Sequence, residues 1–194
     1  MKQRIQNMNL QNKRVILRLD LNVPIQNGQI LDDTKITSSL DTIEYLLTQN
    51  CSIVILSHLG KIKEESDKEK YSLEPVALKL KSLLNREIYF SKENFGEGIY
   101  ERVKILKPRE IIVLENTRFM DLQGKMESHC DAQLSLFWAS LGDVFINDAF
   151  ASMHRRHAST CGIAEYLPSG IGFLVQKELE NLDKYILEPE HPFT

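Results

Sequence analysis

The chain has 194 residues, of which 42% are hydrophobic and 26% are charged, and its formal net charge is −3. This length suits one sizeable domain with a buried core. A negative net charge argues against a general nucleic-acid binder, so any phosphate binding should be local. The polar stretch 1–12 lacks the apolar segment of a signal peptide, and no apolar run is long enough to cross a bilayer. We therefore expect a cytoplasmic protein without a membrane span.

Short runs rich in Val, Ile and Phe alternate with segments of helical period along the chain. The predicted strands are, in chain order, Val15–Leu19, Ser52–Leu56, Ile88–Phe90, Ile111–Leu114 and Val144–Ile146. The predicted helices are Thr37–Gln49, Leu73–Leu84, Gly98–Leu106, Ser128–Leu141 and Val175–Ile186. The alternation predicts a single α/β domain of three layers, α/β/α, around a parallel Rossmann-like sheet.

Caps and connections complete this prediction. Thr37 or Ser38 is expected to cap the start of the first helix, and Gly142 the end of the fourth. The mixed charges of residues 61–70 indicate a solvated loop. Pro189 and Pro192 are expected to loosen the chain after the last helix.

The three cysteines, Cys51, Cys130 and Cys161, are far apart in the sequence and form no C-x-x-C pair. An odd number of well-separated cysteines favours a reducing compartment. We expect each of them to be an ordinary packed thiol and not a redox group.

Polar and charged side chains follow four of the predicted strands at the point where each strand ends. They are Asp20 and Asn22 after the first strand, His58 and Lys61 after the second, Arg118 after the fourth, and Asn147, Asp148, Arg155 and Arg156 after the fifth, with Arg18 and Lys35 close to the first loop. The carboxyl ends of parallel strands share one edge, where ligands bind. Because arginine suits phosphate and carboxylate groups, the expected ligand is a small, multiply charged anion.

Each of these residues also has a structural interpretation when taken alone. Asp20 and Asn22 suit the turn before Pro24, His58 suits a structural role, and the 147–148 pair suits a turn or a helix cap. Several other sites are excluded by their missing motifs: there is no Walker-type phosphate loop, no G-x-G-x-x-G after a strand, no nucleophile elbow and no zinc-ligand spacing. We therefore expect no metal site.

The motifs together resemble the phosphoglycerate kinase family over nearly the whole chain, in order and with the family's spacing. They are VILRLDLNVP at 15–24, DDTKI at 32–36, SHLG at 57–60, LENTRF at 114–119, GDVFINDAF at 142–150, HRRHAST at 154–160, GIAEYLP at 162–168, and GFL with KEL at 172–179.

The resemblance implies a glycolytic kinase, a transferase of two similar domains. In that family the N-terminal domain binds 3-phosphoglycerate or 1,3-bisphosphoglycerate, and the C-terminal domain binds MgADP or MgATP. Residues 1–187 correspond to the N-terminal domain and 188–194 to the start of the connection. Mg²⁺ with ATP or ADP is therefore expected on a C-terminal domain absent from this chain. The chain alone is expected to be a monomer that binds substrate without turning it over.

The resemblance also implies a role for individual residues. The set comprises Asp20 and Asn22 for the substrate's hydroxyl and carboxylate region, His58, Arg118 and Arg155 for its phosphate, and Lys35 and Lys61 where the family usually has arginines. Lys35 is the expected catalytic residue, facing the transferring phosphoryl group. Lysine keeps the charge of arginine but loses its fork, so we expect weaker transition-state stabilisation unless Arg156 helps.

Three further positions depart from the family's pattern: Ile62 stands in place of a proline, and Ala151 and Ser152 in place of glycine and threonine. One alternative hypothesis is a regulatory or binding module that keeps the fold without the chemistry. A general phosphate or nucleic-acid binder is a further alternative, which the net charge of −3 disfavours.

Overall fold

The computed structural model describes the backbone of residues 3–187 and the side chains of residues 3–183. Within these residues the strands are β1 (Arg14–Leu19), β2 (Ile25–Gln26), β3 (Gln29–Ile30), β4 (Ser52–Leu56), β5 (Tyr89–Ser91), β6 (Ile111–Leu114), β7 (Val144–Asp148) and β8 (Ser169–Ile171). Six of them form a parallel sheet in the order β5-β6-β4-β1-β7-β8, while β2 and β3 form an antiparallel hairpin.

Helices cover both faces of this sheet. They are α1 (Thr34–Thr37), α2 (Leu40–Thr48), α3 (Asp67–Lys70), α4 (Glu74–Leu84), α5 (Glu97–Lys104), α6 (Ala132–Ser140) and α7 (Phe173–Leu187). One apolar core joins the sheet to α2 and α4, with Phe173 of α7 packed against it, and a second core joins the sheet to α5 and α6. The predicted three-layer α/β/α fold is confirmed. None of the described helices has the length and apolar character needed to cross a bilayer.

Strand β1 lies at the centre of the sheet and pairs with β4 on one side and β7 on the other. Its side chains alternate between the two cores: Val15 and Leu17 face the α2 and α4 layer, and Ile16 faces the α5 and α6 layer. By the same alternation Arg18 lies on the side of Ile16, and it is only 1% exposed. The fold therefore buries a guanidinium at the carboxyl end of its central strand.

The predicted first helix, Thr37–Gln49, begins later than expected, at Leu40, and a separate short helix precedes it. Helix α1 ends at Thr37 and α2 begins at Leu40, so neither Thr37 nor Ser38 caps a long helix, and that prediction is wrong. Between the two helices, Ser38 Oγ donates to Thr34 O and Ser39 Oγ donates to Ile36 O, both at 2.7 Å. Serine hydroxyls compete for backbone carbonyls in this way and favour helix ends over helix interiors.

The fourth predicted helix begins later than expected, at Ala132. Asp131 is its N-cap and accepts from Leu134 N at 2.9 Å, while Cys130 has a left-handed φ of 54° that no helix allows. Gly142 follows the end of α6 as predicted, for a different reason: a Cβ there would lie 2.9 Å from Arg14 O and 2.8 Å from Ile16 Cγ1. Close packing of α6 on β1 therefore requires the glycine.

The small hairpin and the last strand of the sheet were not predicted. The hairpin of β2 and β3 turns at Asn27 and Gly28, which both have positive φ, and β8 is a short edge strand. The charged segment 61–70 is largely exposed, as expected, but its end forms α3. Pro189 and Pro192 lie outside the described residues.

Candidate functional site

The loops after β1, β4, β6 and β7 carry the predicted site residues, and the structure brings several of them into contact. Lys35 Nζ forms an ion pair with Asp20 Oδ2 at 2.9 Å. The Asp20 side chain is 8% exposed, whereas that of Lys35 is 47% exposed. The pair borders a cleft of about 290 Å³ whose other lining residues include Phe150 and Leu174. The Lys35 ammonium is therefore held by a buried carboxylate and still open to solvent.

Asn22 joins the loop after β1 to the loop after β4. Its Oδ1 accepts from Gly60 N at 2.8 Å, and its own backbone N–H donates to Asp20 Oδ1 at 3.3 Å. Gly60 has a φ of 62°, and a Cβ there would overlap the ring of Tyr71. Glycine is therefore required where the chain bends toward Asn22.

Arg18 and His58 are in direct contact at the centre of the edge. Arg18 Nη2 lies 3.1 Å from His58 Nδ1. Because a guanidinium only donates hydrogen bonds, Nδ1 must be the acceptor, and the imidazole proton lies on Nε2. Burial, together with the charge of Arg18, lowers the pKa of His58 to about 3. His58 is therefore a neutral donor at neutral pH.

The other contacts of Arg18 leave one of its three nitrogens without a partner in the described residues. Its Nη1 donates to Leu19 O at 2.7 Å and to Leu56 O at 3.3 Å. Its Nε is buried without a partner in the described part of the chain. Burial lowers the pKa of Arg18, and the charges of Glu127 and Asp20 oppose that shift. The guanidinium is thus fixed by the ends of two strands and forms no salt bridge with a carboxylate within the described residues.

Arg118 lies beside this pair, at the start of a 3₁₀ helix, Thr117–Leu122. Asn116 caps the turn by accepting from Arg118 N at 3.1 Å. The Arg118 side chain is 18% exposed; its Nη1 is 3.6 Å from Asp121 Oδ2, and its Nε is buried without a partner among the described residues. Its charge lowers the pKa of His58, although less than burial and Arg18 do. Three basic side chains therefore converge here.

The remaining predicted cations are exposed. Arg155 lies close enough to lower the pKa of His58, after burial, Arg18 and Arg118. Its Nε is 3.4 Å from His154 Nε2. Arg156 and Lys61 are exposed and form no hydrogen bond or ion pair through their side chains within residues 3–183. The structure therefore places Arg155 near His58 and, within the described residues, shows no hydrogen bond or ion pair that joins Lys61 to the cluster.

Glu127 is a buried carboxylate beneath the cluster that sequence reasoning missed. Its side chain is 0% exposed, and it accepts from Ser159 N at 3.0 Å and from the Ser159 hydroxyl. Its Oε1 is 3.9 Å from Nδ1 of His157, whose pKa is lowered to about 4, chiefly by burial. Burial raises the pKa of Glu127, and the charge of Arg18 opposes that shift. No motif marks this residue in its polar loop.

Asn147 and Asp148 have structural roles, which supports the alternative that the sequence left open. Asp148 is fully buried; its Oδ2 accepts from Thr42 Oγ1 at 2.5 Å and its Oδ1 from Val175 N at 3.0 Å. Asn147 Oδ1 accepts from Ala149 N at 3.0 Å. Asp148 connects β7 to α2 and α7, whereas Asn147 connects β7 to Ala149 and, through Nδ2, to Thr160 O at 3.3 Å. Neither residue lines the cleft beside Lys35.

Comparison with known proteins identifies the family of this chain. The family profile described as phosphoglycerate kinase matches residues 5–194. The phosphoglycerate kinases of Macrococcus caseolyticus and Fusobacterium nucleatum are 44% and 46% identical to this chain, over 97% and 99% of its length and 48% and 49% of theirs.

Solved structures give the same result. The phosphoglycerate kinase structure from Coxiella burnetii has a TM-score of 0.84 at 36% identity, over 99% of this chain and 47% of that one. The structure from Pyrococcus horikoshii has a TM-score of 0.87 at 34% identity, over 98% and 47%. The chain spans about half the length of the relatives it matches. It belongs to the phosphoglycerate kinase family.

Proposed function

We propose that this chain is the 3-phosphoglycerate-binding half of a phosphoglycerate kinase, a glycolytic transferase that catalyses ATP + 3-phosphoglycerate ⇌ ADP + 1,3-bisphosphoglycerate. The observation that carries the proposal is the convergence of Arg18, His58 and Arg118 at the carboxyl edge of the sheet, next to the Lys35–Asp20 pair. Two of the guanidinium groups have an Nε donor without a partner in the described region. Such an arrangement suits an anion with several charged oxygens.

The proposed binding mode assigns one end of the substrate to each part of the site. Arg118, Arg155 and the Nε2–H of His58 hold the phosphate group of 3-phosphoglycerate. Asp20 and Asn22 hold its hydroxyl and carboxylate region. Neutral His58 suits this role because it donates a hydrogen bond without taking up a proton, and the buried Arg18 fixes its orientation at 3.1 Å.

Lys35 is the proposed catalytic residue. Phosphoryl transfer depends mainly on positioning and on charges directed at the transition state, and no covalent intermediate with the protein is needed. The 2.9 Å contact with Asp20 would hold the Lys35 ammonium in place before substrate arrives. The same contact uses part of the hydrogen-bonding capacity of Lys35. An arginine at this position could donate to Asp20 and to the ligand at the same time. Lys61 and Arg156 are proposed to approach the ligand from exposed positions.

The nucleotide is proposed to bind outside this half of the protein. No group of three or more His, Cys, Asp or Glu side chains within them is placed to hold a metal ion. We assign Mg²⁺ with ATP or ADP to a second domain. The relatives are about twice as long as this chain, which is enough for such a domain. Residues 1–187 would form the substrate domain and 188–194, outside the described part, the start of the connection. We also propose that the protein is a cytoplasmic monomer.

Calorimetric titration of the chain with 3-phosphoglycerate tests the proposal. We expect saturable binding that weakens as salt is added, and a loss of at least tenfold in affinity for Arg118→Ala. Arg102→Ala is the matched control: Arg102 is in the last turn of α5, whose end leads toward the amino edge of the sheet, and it stacks on Tyr89 at 4.2 Å. Unchanged binding in Arg118→Ala, or an equal loss in Arg102→Ala, would contradict the proposed site.

A second candidate function is a non-catalytic relative that binds phosphate ligands. The ion pair that engages Lys35, and the exposed lysine at position 61, favour it. It predicts that inorganic phosphate and 3-phosphoglycerate bind with similar affinity, because the carboxylate end would have no dedicated partner. Clear preference for 3-phosphoglycerate would favour the kinase.

A further inference from the structure

Two cysteines that are distant in the sequence are neighbours in the fold. The Sγ atoms of Cys130 and Cys161 lie 3.6 Å apart, although 31 positions separate the residues along the chain. Both side chains are partly exposed, whereas Cys51 is buried. The spacing in the sequence gave no indication of this contact.

The backbone holds the two sulfur atoms together. Cys130 ends the turn before α6 and Cys161 lies in a π-helical turn, Ala158–Gly162. Ala158 N donates to Glu127 O at 2.9 Å, and the same carbonyl accepts from Cys130 N at 3.1 Å. A Cβ at position 162 would lie 3.1 Å from Cys130 Sγ, so the glycine there leaves space for the sulfur pair.

The two thiols differ in their position relative to a nearby cleft. Cys161 lines a cleft of about 270 Å³ together with Met153 and Thr160, which admits a small reagent. Burial raises the pKa of the Cys130 thiol to about 11, and the neighbouring Cys161 adds to that shift. Because Cys161 lines this cleft and Cys130 does not, Cys161 is the thiol that meets a reagent in the cleft first.

We propose that Cys130 and Cys161 form a reversible disulfide, a redox modification site whose oxidant is a small disulfide of the glutathione class. The Cys161 thiolate attacks the oxidant, forming a mixed disulfide and releasing one thiol. The Cys130 sulfur then displaces the second thiol and forms the Cys130–Cys161 bond. Two protein thiols are oxidised, one external disulfide is reduced to two thiols, and the two protons leave on those thiols.

The geometry needs only a small adjustment for this bond. A disulfide has an S–S distance of about 2.0 Å, so the sulfurs must approach by roughly 1.5 Å, which side-chain rotation provides. The bond would close a loop that contains α6 and β7 and would fasten the turn after His157 to the start of α6. Constraining the unfolded chain in this way should raise resistance to denaturant. The proposal does not depend on the enzymatic function.

The test is incubation of the native chain with oxidised glutathione, followed by mass spectrometry and tryptic mapping. We expect a loss of about 2 Da, for two hydrogen atoms, and a cross-link between peptides 126–155 and 157–177 that a reductant reverses. Cys51→Ser should give the same cross-link. Cys130→Ser should stop at the mixed disulfide on Cys161, and Cys161→Ser should give no cross-link.

Two results would overturn the proposal. One is a wild-type chain that accumulates glutathione on Cys161 without losing it to Cys130 over hours. The other is a cross-link that involves Cys51. Urea unfolding of the oxidised and reduced wild-type chain is the second readout, and a midpoint that is not higher for the oxidised form would contradict the proposed constraint.

Discussion

Arg18 Nη2 donates to His58 Nδ1 at 3.1 Å, so a buried cation and an imidazole share one hydrogen bond at the end of the central strand. Two groups that are both basic in water avoid repulsion there because only one of them is charged. The fold therefore sets both the tautomer and the protonation state of His58.

His58 should consequently remain neutral well below its usual range. Burial and Arg18, with smaller contributions from Arg118 and Arg155, lower its pKa to about 3, and Asp20 opposes them. In the unfolded chain His58 takes up a proton near pH 6.5, so stability is lost as pH falls below that value. From pH 7 to 5 the wild type should lose about 2 kcal/mol relative to His58→Gln, which keeps an acceptor for Arg18.

Urea unfolding at several pH values measures this difference, and ¹⁵N NMR of the imidazole gives the tautomer directly. A His58 resonance that titrates near pH 6.5, or one protonated on Nδ1, would contradict the assignment.

Lys35 should contribute to anion affinity through its charge. Lys35→Met removes the ammonium and keeps the stem, and we expect affinity for 3-phosphoglycerate to fall about tenfold to a hundredfold, as when a charged hydrogen bond is removed. Lys35→Arg should bind at least as tightly as the wild type, because a guanidinium can contact Asp20 and ligand together. Lys81→Met is the calorimetric control, since Lys81 lies near the carboxyl end of α4 and pairs with Glu87 at 2.8 Å. Equal binding by Lys35→Met and wild type would exclude the proposed role.

Glu127 should contribute more to stability than any exposed carboxylate. In Glu127→Ala the N–H and hydroxyl of Ser159 lose their acceptor, and the nearby charge of Arg18 loses a balancing charge. We expect the free energy of unfolding to fall by about 3 kcal/mol for Ala and by about 1 kcal/mol for Gln, which keeps an acceptor. Exposed Glu165→Ala should change it by less than about 0.5 kcal/mol. The prediction fails if chemical denaturation gives similar values for Ala at positions 127 and 165.

Gly172→Ala should destabilise the chain because of sterics alone. A Cβ there would overlap the buried carboxylate of Asp148, which Thr42 and Val175 N hold in place. Overpacking of this kind costs about 2–3 kcal/mol. Gly98→Ala is a control of opposite sign: its Cβ would lie 3.8 Å from Glu93 Oε2, and alanine in α5 should stabilise by about 0.5 kcal/mol. Thermal unfolding of both variants tests this prediction, and equal shifts in Tm would contradict it.

The sequence predicted the main strands because their apolar runs are covered on both faces, as a parallel sheet between helix layers requires. It also indicated which edge carries the charged residues, since each cluster directly follows a strand. The sequence did not predict β8, because a strand of three residues with a central glycine is too short to show an alternating pattern. The hairpin of β2 and β3, by contrast, was predictable, because Asn-Gly is a strong sequence signal for a two-residue hairpin turn.

The finer structure of the site could not be read from the sequence for a physical reason. The burial of Glu127, the orientation of His58 and the contact of Cys130 with Cys161 all depend on segments that are distant in the chain. A local sequence pattern indicates which secondary structure a segment prefers. It does not identify the distant segment that packs against it. The individual roles proposed for Asp20, Asn22, Lys61, Arg118 and Arg155 remain predictions.

The position of β1 has a consequence for how the domain opens. Its amides bond to neighbours on both sides and its core residues are fully buried, so their hydrogen exchange should require near-global unfolding. Arg18 lies in this slowly exchanging strand, whereas Arg155 is exposed on a loop that can open independently. A ligand that bridges the two would have to be released in both openings, so its binding would slow exchange in the loop and in the central strand by the same factor.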